Sequence, residues 1–104
     1  MQYDEQANGA EIITHVNEEF EVVLSETSSA GYRWTISENG EPTLHLIEEV
    51  SLPQTGSVGG AGQRQWRFRG ASAGETEIKM RYARSWEKSS EPARTFTLKV
   101  RVRS

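Results

Sequence analysis

The stretch Thr27-Ser28-Ser29-Ala30-Gly31-Tyr32-Arg33-Trp34 decides how the rest of the chain is read. From Tyr32 onward, Tyr32, Trp34 and Ile36 alternate with Arg33 and Thr35, the period of two that marks a half-buried strand. Upstream, Phe20, Val22 and Leu24 fall on one face of residues 19–25 with the same period. The small, polar middle has no period of its own. It is therefore a loop between two strands, held on rigid ends and displaying small groups at its tip.

The same alternation recurs on both sides. Residues 11–16 carry Ile12, Ile13 and Val16, and residues 64–70 set Trp66 and Phe68 against Gln65, Arg67 and Arg69. Thr76, Ile78, Met80 and Tyr82 oppose Glu77, Lys79 and Arg81, and Phe96, Leu98, Val100 and Val102 alternate with Thr97, Lys99, Arg101 and Arg103. In residues 44–51 the parity of Leu44 and Leu46 is broken by Ile47, which predicts a bulge. No stretch has a helical period, and β-branched and aromatic residues dominate the alternating runs. About seven short strands with frequent turn signals predict an all-β fold, an immunoglobulin-like antiparallel β-sandwich. Residues 11–104 are expected to form its single domain, with polar residues 1–10 a flexible lead-in. Trp34 and Trp66 lie on inward faces and are expected in the core.

Composition narrows the function. A chain of 104 residues supports one domain with an adequate core. A net charge of -3 and a pI near 5.4 give no general attraction to nucleic acid or anionic membrane. There is no cysteine, which excludes disulfides, a thiol nucleophile and a Cys-ligated metal. No apolar run approaches the roughly 20 residues that cross a bilayer. Met1–Ala10 does not read as a signal peptide, and the compartment stays open between secreted, periplasmic and others.

The connections carry more information than the strands. If each reverses the chain, the first, third and fifth gather at one end of the sandwich and the second, fourth and sixth at the other. The odd set is short: Asn17-Glu18, residues 38–42 with the turn signal Asn39-Gly40, and residues 71–74. The even set, residues 26–31, 52–63 and 83–94, is longer. Loops of about 12 residues are uncommon in small domains unless they act or are disordered. Three longer loops gathered at one end would form a binding edge. The second holds four of the nine glycines, which permit positive φ and close backbone approach, although a plain connector has the same composition. A phosphate cradle is not supported, because no Lys-Ser or Lys-Thr follows the glycines. The third carries Arg84-Ser85-Trp86, and a Trp beside an Arg past a strand end is the composition of a binding hot spot. The alternative is that Trp86 folds back as a cap on the sandwich.

Taken in order, these loops resemble the chagasin-like inhibitors of papain-type cysteine proteases. That family is an immunoglobulin-like sandwich with Asn-Pro-Thr-Thr-Gly-Tyr-x-Trp, Gly-x-Gly-Gly and Arg-Pro-Trp motifs on three loops. Gly31-Tyr32-Arg33-Trp34 matches the end of the first, with Thr27-Ser28 for Asn-Pro and Ser29-Ala30 for Thr-Thr. Gly59-Gly60-Ala61-Gly62 matches the second, followed by Trp66, and Arg84-Ser85-Trp86 the third, with serine for proline. The resemblance implies a reversible wedge in the cleft of a papain-family protease. Thr27, Ser28, Ser29, Ala30 and Gly31 would face the catalytic cysteine, with the Ser29 hydroxyl where the motif threonine sits. Gly59, Gly60, Ala61 and Gly62 would lie along one wall, and Arg84, Ser85 and Trp86 along the other. Losing the prolines at Ser28 and Ser85 raises the cost of ordering the loops and implies weaker inhibition than the full motif.

An enzyme is not expected. His15 and His45 fall on different strands, Asp4 is the one aspartate, and no motif joins them to a serine. The histidines have no metal-ligand spacing, so neither a metal nor a cofactor is expected. Glu18-Glu19 and Glu48-Glu49 point to opposite strand faces and cannot act as a glycosidase pair. Arg67, Arg69, Arg81, Arg101 and Arg103 are interspersed with glutamates and read as a solvated sheet face. Nothing demands more than a monomer. The competing reading is an immunoglobulin-like adhesion or carbohydrate-binding module, which would use a sheet face and tolerate changes at Ser29 and Trp86.

Overall fold

Alternation along the chain becomes two facing layers. The computed structural model describes residues 1–27, 31–52, 62–84 and 92–104. In chain order the strands are β1 (Gln2–Tyr3), β2 (Glu11–His15), β3 (Glu19–Glu26), β4 (Tyr32–Glu38), β5 (Leu44–Leu52), β6 (Gly62–Gly70), β7 (Gly74–Arg84) and β8 (Arg94–Arg103), with a 3-10 turn at Glu5–Ala7. One sheet has the order β1-β3-β6-β5 and the other β2-β8-β7-β4. Their inner faces meet in one core. Phe20, Val22 and Leu24 of β3 and Trp66 and Phe68 of β6 pack with Ile78, Met80 and Tyr82 of β7 and Phe96, Leu98, Val100 and Val102 of β8. These are the residues whose period of two put them inward. Trp34 and Trp66 are both buried there, and truncating either to Ala should cost about 3–5 kcal/mol of stability.

The sandwich matches the expected class and differs in its edges. Two of its pairings are parallel: β1 with β3, and β2 with β8. An alternating pattern encodes which face is buried and not the direction of the neighbour, so these pairings lay beyond it. The predicted bulge is present, as the β5–β6 register shifts between Leu46 and Glu48 and leaves Ile47 exposed.

Residues 1–10 correct the expectation of a flexible lead-in. β1 extends the first sheet, Tyr3 sits edge-on to Phe20 with ring centroids 6.0 Å apart, and Ala7 and Ala10 pack against the core. The chain then crosses to the other sheet. Ser25 N–H donates to Glu5 Oε1 on the way, Thr97 N–H donates to Asn8 Oδ1, and Gly9 N–H donates to the Thr97 carbonyl. The polar character of the segment satisfies backbone groups along the open side of the sandwich.

The short connections close one end through backbone hydrogen bonds. Asn17 N–H donates to the Gly70 carbonyl, Gly70 N–H to the Glu18 carbonyl, and Ala71 N–H to the Thr43 carbonyl. Gly70 must be glycine, because a Cβ there would stand 2.4 Å from the His15 carbonyl oxygen. Beside it His15 Nδ1 lies 3.1 Å from Glu18 Oε1, and this contact holds the Glu18 carboxyl below the usual range.

Candidate functional site

The opposite end of the sandwich is where the three longer connections leave and return. In the first sheet Glu26 is the register partner of Gly62, and Leu52 of Gln63. The end of β3, the end of β5 and the start of β6 therefore lie side by side. In the second sheet Tyr32 is the register partner of Arg84, and Tyr82 of Arg94. That joins the start of β4, the end of β7 and the start of β8. Both flanks of every longer connection thus reach one edge, as chain reversal required.

Strand ends extend further than expected, so two candidate loop residues belong to strands. Gly62 opens β6 and Arg84 closes β7. Gly31 has φ +85°, a conformation that favours glycine and turns the chain into β4. Thr27 N–H donates to Tyr82 Oη at 2.8 Å, tying the first connection to the second sheet. Ser28, Ser29, Ala30, Gly59, Gly60, Ala61, Ser85 and Trp86, including the positions of the two absent prolines, lie outside the described residues.

Two side-chain assemblies hold this edge. The first is a column of rings and cations on the second sheet. Arg84 Cζ stands 4.6 Å from the Tyr32 ring centroid, Tyr32 stacks on Tyr82 at 5.1 Å, and Tyr82 meets Trp34 at 4.8 Å. Arg94 Cζ completes it at 5.7 Å from Trp34. Each ring pair is worth about 0.5–1.5 kcal/mol beyond its burial, and a cation on a ring face about 0.5–1 kcal/mol near the surface. The column links the exit of the first connection to both arms of the third.

The second assembly is ionic. Glu26 continues the inward parity of Phe20, Val22 and Leu24, and it is buried at 4% exposure. Its carboxylate accepts from Arg64 Nε at 2.9 Å and Nη2 at 3.0 Å, a bidentate pair, and from Trp34 N–H at 2.9 Å. Arg64 also donates from Nη1 to Glu49 Oε2 at 2.8 Å. The Glu26 hydrogen bonds hold the Arg64 guanidinium above its ordinary range. Trp34 Nε1 donates to the Ser25 carbonyl at 2.9 Å, and Ser25 N–H donates to Glu5. Burial by itself would raise the Glu5 carboxyl, but the hydrogen bonds from Ser25 and from its own backbone N–H, with the charge of Arg94, together outweigh it and hold Glu5 below its ordinary value of 4.5.

Sequence reading missed this ionic assembly, with Glu26 taken as the start of a loop and Arg64 as the start of a strand. The signal was parity. Glu26 and Arg64 sit on inward positions of neighbouring strands with opposite charge, and a diagonal cross-strand pair is within reach of long side chains. Among the described residues no three His, Asp or Glu side chains gather as a metal would require.

The sandwich thus brings three loop bases to one braced edge. The description Chagasin family peptidase inhibitor I42 matches residues 14–100. The chain belongs to that family of peptidase inhibitors. Amoebiasin-1 of Entamoeba histolytica is 30% identical over 104 residues, covering 98% of this chain and 99% of the relative. Amoebiasin-2 of the same organism is 32% identical over 90 residues, covering 84% of this chain and 72% of the relative. The crystal structure of the cysteine protease inhibitor EhICP2, also from Entamoeba histolytica, superposes with a TM-score of 0.86 at 27% identity, over 98% of this chain and 93% of that one. The family and EhICP2 are protease inhibitors and not enzymes.

Proposed function

We propose that this chain is a reversible inhibitor of papain-like cysteine proteases that enters the active-site cleft with three adjacent loops. The observation that supports the loop reading best is the meeting of all the loop bases on one edge, with Glu26 beside Gly62 and Tyr32 beside Arg84. A protease–inhibitor interface removes about 800 Å² from each partner, an area within reach of three neighbouring loops. In this reading Thr27 to Gly31 approach the catalytic cysteine, Ser29 presenting its hydroxyl. Gly59 to Gly62 line one wall through backbone contacts, and Arg84, Ser85 and Trp86 engage the other. The loops sit in the cleft without being cleaved and form no covalent bond to the enzyme, so the complex is reversible. The partner is a papain-family cysteine protease, this chain acts as a monomer, and neither nucleic acid nor a membrane takes part.

The test is residual papain activity on a fluorogenic peptide, titrated with the native chain and with Trp86→Ala. Reversible inhibition weakened about 30-fold by the substitution, equivalent to roughly 2 kcal/mol, is expected of a central anchor. No inhibition of papain or its relatives at micromolar protein would overturn the reading and leave an adhesion-type module in its place.

A further inference from the structure

We propose that Glu26 and Arg64 are positioning residues, an ionic bracket that sets the first loop against the second, so that inhibition depends on them without either meeting the protease. The inference rests on the three-loop reading above and adds the device that spaces the loops.

Connectivity is the first argument. Glu26 directly precedes Thr27, where the first connection begins, and it also holds Trp34 N–H, close behind the return at Tyr32. One carboxylate thereby grips both arms of that loop. Arg64 lies just behind Gly62, where the second connection returns, and its third donor reaches Glu49 on β5, the strand that leads into it. One guanidinium thereby grips both arms of the second loop and joins them to the first.

Chemistry is the second. A buried ion pair is seldom more stabilising than apolar residues of similar volume, which occupy the neighbouring inward positions Leu24 and Trp66. What the pair supplies is direction. A forked donor on a carboxylate tolerates one relative placement of two strands, whereas apolar contact permits sliding. With side-chain exposures of 15% for Arg64 and 4% for Glu26, neither is presented for contact with a partner.

The experiment compares the native chain with the double variant Glu26→Gln/Arg64→Met. Both charges leave together, and the new amide keeps an acceptor for Trp34 N–H. The expected result is a thermal midpoint within a few degrees of native, a papain inhibition constant at least tenfold higher, and faster amide exchange at Thr27, Gly31 and Gly62 with Ile78 and Leu98 unchanged. Native inhibition together with native exchange at those three amides would overturn the proposal. Exchange that quickens equally throughout the core would overturn it too, because the pair would then serve global stability alone. Arg64→Lys keeps the charge, loses the fork and guards against a double variant that does not fold. It is expected to fold and to raise the inhibition constant several-fold, and native inhibition in it would count against the bracket. If the native chain fails to inhibit papain, the inhibitor reading falls on that result, and the exchange pattern still decides whether the bracket orders the loop bases.

Discussion

The two ends of this sandwich are built by different means. At the short-turn end, backbone groups bond to backbone groups, Asn17 takes φ 74°, and Gly70 lies where no side chain fits. At the loop end the closing groups are side chains: the Glu26–Arg64–Glu49 chain, the Tyr32–Tyr82–Trp34 column and the Tyr82 hydroxyl on Thr27 N–H. A tight turn fixes its strands by its own geometry. Long loops do not, so their bases are braced from within the sandwich. Damage at the first end should therefore fall on stability alone, whereas loss of the polar braces at the second should fall chiefly on recognition.

Four measurements would break or sharpen that contrast. The largest effect belongs to Gly70→Ala, which drives a methyl into the His15 carbonyl. Urea unfolding should show a loss of about 3 kcal/mol, with papain inhibition unchanged in the cold where the protein stays folded. Next is Trp86→Ala, expected to cost roughly 2 kcal/mol of affinity with an unaltered thermal midpoint. Tyr82→Phe keeps the stacked ring and removes the acceptor for Thr27 N–H, at a cost of about 1 kcal/mol. Inhibition should weaken several-fold, which steady-state inhibition would read.

The smallest is a pH effect at Glu5. Its carboxyl is depressed in the folded chain, so its contribution is complete above its ordinary value of 4.5 and is lost as pH falls through the lower folded value. Glu5→Gln should therefore reduce stability at pH 7 by at most about 1 kcal/mol, and the difference from native should vanish in acid. Thermal unfolding across that range checks it. A variant gap that widens in acid would contradict the assignment.

What the sequence discloses follows from what a period of two encodes. It sorts residues into two opposite faces, so the shared faces of Phe20, Met80 and Leu98 and the core placement of Trp66 are legible from the sequence, and Ile47 betrays its bulge. It says nothing about strand direction, so the parallel edges β1 and β2 were hidden. Nor does it register in a strand of two residues, so the polar segment that crosses between the sheets read as a lead-in. At the candidate site, the loop order and the gathering of loop bases were legible from chain reversal, and Thr27, Gly31, Gly62 and Arg84 lie at those bases. The braces were not. Glu26 and Arg64 are charged residues in apolar positions, and their partnership appears only with the β3–β6 register.

The most direct test of the account is hydrogen exchange of the chain alone and in complex with papain, read peptide by peptide. Protection confined to residues 27–31, 52–62 and 84–93, with residues 16–18, 39–43 and 71–74 unaffected, is the predicted result. Protection at the short-turn end or across a sheet face would contradict it.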